Sequence, residues 1–374
     1  VDLKAVHFEI NFVLCTHNQT NTMRITITGT GSHLPAQSVA NSSFLNHEFL
    51  EMDGSPFGAT NEVIIEKFTS ITGIESRRYA LDSENTSDLG ASAARAAIAD
   101  ARIDAETLDY IIFAHNFGDV AHGQAQSDML PSLASRVKQA LGIINPNCVA
   151  YDVLFGCPGW VEGVIQATAY IKAGMAQKCL VIGGETLSRV LDPHDRDSMI
   201  YADGAGAVVL ETTQDGGEIL AHQSATFAVE EAGYLFFGAS YKQDLTPVDR
   251  YIKMYGRKIY EFAVTHVPVA LQKCVDKAGV SIDDIHKIFI HQANEKMDEA
   301  IVKRFYKLYG RSMPEGIMPM NIQSFGNSSV ATVPTLFDMV KRGQLEGHRL
   351  EKGKVYLFAS VGAGMNINAF AYRY

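Results

Sequence analysis

Phe155-Gly156-Cys157-Pro158-Gly159-Trp160 and Phe325-Gly326-Asn327-Ser328-Ser329 are the two stretches on which the reading of this chain turns. In each, a Phe-Gly pair leads to a polar side chain and then to a long apolar helical pattern. The first pattern carries Val161, Val164, Ile165, Thr168 and Ile171 at helical spacing. Ala167 and Ala169 sit on its other side, which implies a helix buried nearly all round. The two patterns end alike, at Ile171-Lys172-Ala173-Gly174 and Val340-Lys341-Arg342-Gly343. Both then enter short apolar runs, 180–182 and 355–358, of the kind that form strands buried on both faces.

A third match lies upstream of each. Leu108-Asp109-Tyr110-Ile111-Ile112-Phe113-Ala114 lines up with Ile285-His286-Lys287-Ile288-Phe289-Ile290-His291, each after a helix and an acidic turn. Matches in the same order at nearly constant offset point to an ancient duplication. The expected organisation is an N-terminal half over 23–210 with Cys157 and a C-terminal half over 211–374 with His291 and Asn327. Residues 1–22 read as an N-terminal extension. Two packed α/β halves bring equivalent loops to a pseudo-two-fold axis. Cys157 and Asn327 then face each other at the starts of their helices, with His291 after a central strand, where open α/β sheets place their chemistry.

Two readings of Cys157 stand side by side. A thiol where a helix begins sits beside unpaired backbone N–H groups and the positive end of the helix dipole, which favours the nucleophilic thiolate. A free cysteine is also commonly a small buried apolar residue. Likewise, His291 alone fits a structural histidine, and Asn327 alone fits a helix cap. The joint bland reading needs three coincidences at pseudo-equivalent sites.

The remaining pattern agrees with an α/β chain. Arg24-Ile25-Thr26-Ile27-Thr28 alternates as a strand, with Gly29-Thr30-Gly31 expected to turn it. Residues 41–52 and 61–69 read as helices. Thr86-Ser87-Asp88 caps an alanine-rich helix reaching about Ala101, and 131–141 is another helix. Strands are expected over 148–154 and 205–210.

The 374 residues are 47% hydrophobic and 20% charged, enough for a large core or two fused subdomains. A net charge of −10 argues against a polyanion-binding surface, so no nucleic-acid partner is expected. Cys15, Cys148, Cys157, Cys179 and Cys274 are scattered and odd in number, with no C-x-x-C pair. That pattern speaks against zinc or a disulfide framework and for a reducing, cytoplasmic setting. No apolar run approaches the roughly 18 residues of a membrane helix, and 6–14 makes a poor signal peptide.

Gly156-Cys157-Pro158-Gly159, His291-Gln292-Ala293-Asn294, Phe325-Gly326-Asn327-Ser328-Ser329 and Val361-Gly362-Ala363-Gly364 resemble the active-site motifs of the thiolase-fold condensing enzymes. The resemblance is strongest to β-ketoacyl-acyl-carrier-protein synthase III and runs from Met23 to Tyr374. Supporting matches are Gly29-Thr30-Gly31-Ser32-His33-Leu34-Pro35, Thr72-Gly73-Ile74 with Arg77-Arg78, Asp192-Pro193-His194-Asp195-Arg196, and Asp203-Gly204-Ala205-Gly206-Ala207.

The resemblance implies a thiolase-like α/β fold, two pseudo-duplicated halves in five layers, α-β-α-β-α. It implies a catalytic Cys157, His291 and Asn327, with the backbone N–H groups of Cys157 and Ala363 as an oxyanion hole. Arg196, Leu130, Gly362, Gly364 and Asn294 are implied to contact substrate. The partners implied are an acyl thioester of CoA or phosphopantetheine, acyl carrier protein and a second copy of the chain, with no permanently bound cofactor and no metal. Lys296, Lys303, Arg304 and Lys307 fall on one helix face, a spacing visible without the family, and could attract an acidic partner. The family docks its carrier protein there; a solvated helix face is the bland alternative.

Departures matter too. Lys67 and Ile71 stand where relatives carry the tryptophan and arginine that hold the adenine of CoA, while Arg196 matches a second nucleotide contact. Leu130 aligns with the residue that caps the acyl tunnel from the partner subunit, after a stretch, 116–128, longer than in the shorter relatives. The expected activity is decarboxylative Claisen condensation of an acyl thioester with malonyl-acyl carrier protein, initiating fatty acid synthesis. Alternatives are a condensing enzyme or acyltransferase of specialised, polyketide-like metabolism, a cysteine hydrolase, and a non-catalytic paralogue.

Overall fold

A computed structural model of the chain describes residues 23–242 and 249–374; the extension read at 1–22 lies outside the described residues. The chain runs β1 (Arg24–His33), β2 (Gln37–Ala40), α1 (Asn61–Thr72), β3 (Ser76–Tyr79), α2 (Thr86–Ala101), β4 (Tyr110–His115), α3 (Leu133–Leu141), β5 (Val149–Leu154), α4 (Gly159–Lys172), β6 (Lys178–Thr186) and β7 (Asp203–Thr213). It continues through β8 (Glu218–Thr226), β9 (Leu235–Ala239), β10 (Arg250–Met254), α5 (Gly256–Ala278), β11 (Ile285–Ile290), α6 (Glu295–Leu308), the single turn α7 (Ile322–Phe325), α8 (Thr332–Lys341), β12 (Val355–Gly362) and β13 (Asn366–Arg373).

Two sheets carry the architecture, one ordered β1-β7-β6-β4-β5 and the other β11-β12-β13-β8. Their pairings repeat. Strand β4 is parallel to β6 as β11 is to β12, β6 is antiparallel to β7 as β12 is to β13, and β7 is antiparallel to β1 as β13 is to β8. Strand β5 has no counterpart and forms an edge of the first sheet.

Period-two alternation decides which face each residue serves. In β4, Ile111 and Phe113 meet α2 and α3 on the outer face, where Leu89, Ala93, Leu133 and Val137 pack. Ile112 and Ala114 face inward to α4 and α8, which lie between the sheets with Val161, Val164, Val333 and Phe337. Helices α5 and α6 cover the outer face of the second sheet through Val267, Leu271, Ile301 and Phe305. The layers are therefore α-β-α-β-α. The burial expected all round α4 holds for one side only: Val161, Val164, Ala167 and Ile171 are buried, Ala169 is exposed, and Ile165 and Tyr170 are half-buried. Trp160, at its start, is fully buried, tilted against Phe358 and Phe370.

Three local expectations change. Gly29-Thr30-Gly31 does not turn the chain but continues β1 past a bulge. Both glycines are needed because α2 lies directly on the strand: a Cβ on Gly29 would collide with the Ala97 carbonyl, and one on Gly31 with the Ala93 carbonyl. Residues 41–52 form only a 3-10 turn, Asn41–Phe44. The carbonyls of Leu45 and His47 accept hydrogen bonds from the Asn61 side chain (2.8 and 2.6 Å) instead of from helical amides. Finally, Asn327 does not directly open its helix; a 3-10 turn, Ser329–Ala331, precedes α8.

Candidate active site

Cys157 stands between the end of β5 and the start of α4, on a backbone whose tightness comes from glycine. Gly156 has φ 69°, and a Cβ there would lie 2.8 Å from the Ala363 nitrogen. A Cβ on Gly362 would lie 2.6 Å from the Cys157 nitrogen and 2.9 Å from its sulfur. Two glycine-rich loops, one from each half, thus touch main chain to main chain. The backbone N–H groups of Cys157 and Ala363 act together on the sulfur, each favouring its ionised form. Gly364, φ 73°, turns the chain behind this contact against Asn366.

Cys157, His291 and Asn327 line a single cavity of about 450 Å³. His291 continues the β11–β12 ladder, its N–H donating to the Ala359 carbonyl (2.9 Å). Its Nδ1 lies 2.8 Å from the Thr332 hydroxyl. Burial pushes His291 down to about 4, so the ring is neutral at physiological pH. Asn327 is bound into the other half: its N–H donates to the Ile200 carbonyl, and its own carbonyl accepts from the Ala202 N–H, each at 2.9 Å. Its side-chain Oδ1 accepts from the Ser329 N–H (2.8 Å), which orients the amide and leaves Nδ2 as a donor.

The thiol is not the ready thiolate that a helix start alone suggests. Burial pushes Cys157 up to about 11, against the opposing hydrogen bonds from Ser329 and the two backbone N–H groups. Desolvation outweighs the donors, so the resting group is a thiol.

A polar cluster behind the sulfur escaped the motif reading. Asn116 Nδ2 donates to Glu185 Oε1 (2.5 Å) and to Ser329 Oγ (3.0 Å), bridging the two side chains. Glu185 is buried and pushed up to about 8 by that burial. A carboxyl closing the apolar run Leu180-Val181-Ile182-Gly183-Gly184 was the available signal.

Lys67, Ile71, Arg196 and Asn294 line the same cavity. Arg196 stacks its guanidinium 4.5 Å from the centre of the Phe57 ring. Asn294 caps α6, Oδ1 accepting from the Met297 N–H (3.0 Å). Along α6, Lys296, Lys303, Arg304 and Lys307 are all exposed; Lys303 pairs with Glu299, and Arg304 reaches the Val264 carbonyl. Leu130 is outside the cavity, 89% exposed at the surface.

A thiol, a neutral histidine and an oriented amide around one cavity, held between two duplicated α/β halves, match the arrangement of a thiolase-fold condensing enzyme. Residues 151–226 match the family model for 3-oxoacyl-[acyl-carrier-protein] synthase III, and 275–374 match the model of its C-terminal region. The chain is 34% identical over 355 residues to the β-ketoacyl-[acyl-carrier-protein] synthase III of Neisseria gonorrhoeae, covering 93% of this chain and 98% of that one. The 3-oxoacyl-[acyl-carrier-protein] synthase III structure of Aquifex aeolicus superposes with TM-score 0.76 at 28% identity, covering 94% and 100% of the two chains. A priming β-ketosynthase from the R1128 polyketide pathway superposes with TM-score 0.76 at 25% identity, covering 93% and 95%. The chain belongs to the 3-oxoacyl-[acyl-carrier-protein] synthase III family.

Proposed function

We propose that this protein is a condensing acyltransferase that joins an acyl thioester to malonyl-acyl carrier protein, with loss of carbon dioxide, as the initiating step of fatty acid synthesis. The observation that carries the reading is the shared cavity of Cys157, His291 and Asn327, with the Asn327 amide turned by the Ser329 N–H.

Cys157 attacks the thioester carbonyl and holds the acyl group covalently, dividing one difficult condensation into two steps. The N–H groups of Cys157 and Ala363, already converging on the sulfur, stabilise the oxyanion of the tetrahedral intermediate. The malonyl thioester carbonyl then takes hydrogen bonds from His291 and Asn327 Nδ2. Both donors are neutral, so the enolate formed on decarboxylation meets no fixed negative charge. Its carbon attacks the acyl-cysteine and expels the Cys157 sulfur. The substrates are thioesters of CoA or phosphopantetheine, and the steps use only this chain's own groups.

Within the reading, the exposed α6 cations dock the acidic carrier protein beside the entrance lined by Arg196 and Asn294. The working form is a cytoplasmic homodimer. Strand β5 is an edge of its sheet with exposed Val149 and Leu154, and Met129 and Leu130 are exposed as well. An edge of that kind is suited to cover by a second copy. A second reading, priming of a polyketide-like chain, is favoured by Lys67 and Ile71 at the cavity mouth together with the similarity to the R1128 priming enzyme.

Intact mass measurement after incubation with acyl-CoA and acyl-carrier donors tests this. A mass gain lost in Cys157→Ala, and discharged by malonyl-acyl carrier protein with release of carbon dioxide, is expected. Absence of labelling by every donor, or discharge by water alone, sinks it.

A further inference from the structure

Much of the wall of the cavity around Cys157 is apolar, with Ile200, Leu235, Met254, Val361 and Met365 contributing to it. Tyr201 lines the same cavity and brings a hydroxyl among these groups. Its place is fixed from two sides. The Tyr201 backbone forms an isolated parallel bridge with Asn327, carried by the bonds from the Asn327 N–H to the Ile200 carbonyl and from the Ala202 N–H to the Asn327 carbonyl. The side chain is buried with Val120, Leu187, Val190 and Ile252, which leaves the ring little freedom to swing.

The phenol hydroxyl donates to Met254 Sδ at 3.6 Å. A thioether sulfur is a weak acceptor, so a good donor is held on a poor partner. Burial keeps the phenol well above its ordinary value, and it remains a donor at physiological pH. A buried donor of this kind gains when a ligand supplies a stronger acceptor. A saturated hydrocarbon chain supplies none, whereas an oxygen on the chain supplies lone pairs. Because Tyr201 is rooted beside Asn327, the oxygen it meets belongs near the thioester end of the acyl group.

We propose that Tyr201 selects the acyl group, its hydroxyl leaving Met254 Sδ to donate to a keto or hydroxyl oxygen carried next to the thioester. The inference rests on the acyl-cysteine reading above and adds a substrate class to it: 3-oxoacyl or 3-hydroxyacyl thioesters are preferred over saturated ones of the same length. Met254 plays the opposing part. Its sulfur occupies the hydroxyl when the acyl group brings no oxygen, so it competes with the oxygen of one that does. Removing the sulfur therefore sharpens the preference, and removing the hydroxyl abolishes it. A ring that only fills space produces neither change.

The test is acylation of the full-length protein, followed by intact mass, with butyryl- and octanoyl-CoA, their 3-oxo and 3-hydroxy counterparts, and the same groups on acyl carrier protein. Each rate constant is divided by that of the saturated donor of equal length on the same carrier. The wild type is expected to favour an oxygenated donor about tenfold, the weight of one net hydrogen bond, and the favoured member of the pair separates keto from hydroxyl. In Tyr201→Phe the ratio is expected to fall close to one, and in Met254→Leu to rise above the wild-type value. Met254→Leu carries the test alone should Tyr201→Phe fail to fold. A wild-type ratio near one, a ratio retained in Tyr201→Phe, or one that does not rise in Met254→Leu overturns the assignment while saturated donors still label Cys157. If no donor labels the wild type, the acyl-cysteine reading itself fails.

Discussion

His291 Nδ1 lies 2.8 Å from Thr332 Oγ1, and that same hydroxyl lies 2.9 Å from the Ser329 carbonyl. A hydroxyl carries one proton. When Thr332 gives it to Nδ1, the ring proton sits on Nε2 and can be donated to a thioester carbonyl; when Thr332 gives it to Ser329, the ring proton is spent on Thr332. A bound carbonyl selects the first arrangement. Thr332→Val is expected to slow malonyl decarboxylation on the order of tenfold, the rate equivalent of about 1.4 kcal/mol, with a smaller effect on Cys157 labelling. Thr332→Ser should restore it. Equal losses in both half-reactions count against a tautomer role.

Gly362 tests the loop contact. A methyl group there would meet the Cys157 nitrogen and sulfur. Gly362→Ala is expected to lower the acylation rate by about 10²-fold, the effect of a displacement on the order of 1 Å. The thermal midpoint should move little if the change is confined to the loop. Stopped-flow release of CoA and a melting curve separate the two outcomes.

Stability and pH provide an independent reading of Glu185. Its carboxyl, 4.5 in the unfolded chain, rises to about 8 on folding. Between those values the folded state keeps a proton that the unfolded state has released, so this group's contribution falls as pH rises through the window. His291 acts at the other end. Its folded value of about 4 lies below the unfolded 6.5, so stability is lost as pH falls from about 6.5 to about 4. Urea midpoints for Glu185→Gln should decline less between pH 5 and pH 8 than those of the wild type, since the window spans about 4.5 to about 8. Parallel curves speak against the shift.

Lys253 is buried in β10 between Asp192 (2.5 Å) and Asp195 (3.1 Å). Asp192 also accepts from the Tyr241 N–H and the Ser240 hydroxyl, so one cation anchors the turn that presents Arg196. Lys253→Met leaves two buried carboxylates without their partner, a loss of about 3–5 kcal/mol. In whatever protein folds, KM for acyl-CoA is expected to rise more than kcat falls, because the Arg196 contact with Phe57 loosens. Steady-state kinetics with a chemical-denaturation curve measure both.

The fold was legible where burial and period agree. Strands β4, β6 and β12 are apolar because both faces are covered, and the matched helix ends at Gly174 and Gly343 recur with φ 72° and 68°. The three residues of the cavity were legible because glycine marks the places where main chains approach. What could not be read depended on distant partners. The helix expected at 41–52 fails because Asn61 takes its carbonyls, and the turn expected at Gly29 to Gly31 is a strand because α2 presses on it. The protonation of Cys157 depends on desolvation by residues from both halves. Glu185 looked like any polar residue ending a strand, since neither Asn116 nor Ser329 is near it in sequence.

Asn327 hangs by its backbone from Ile200 and Ala202, and the Cys157 loop is shaped by Gly362. Each half therefore holds a decisive part of the other's chemistry. A ribosome releasing this chain makes the cysteine long before the residues that would render it reactive. During synthesis, then, the loop around Cys157 can take its observed shape only after β12 and the turn at Gly362 have been made.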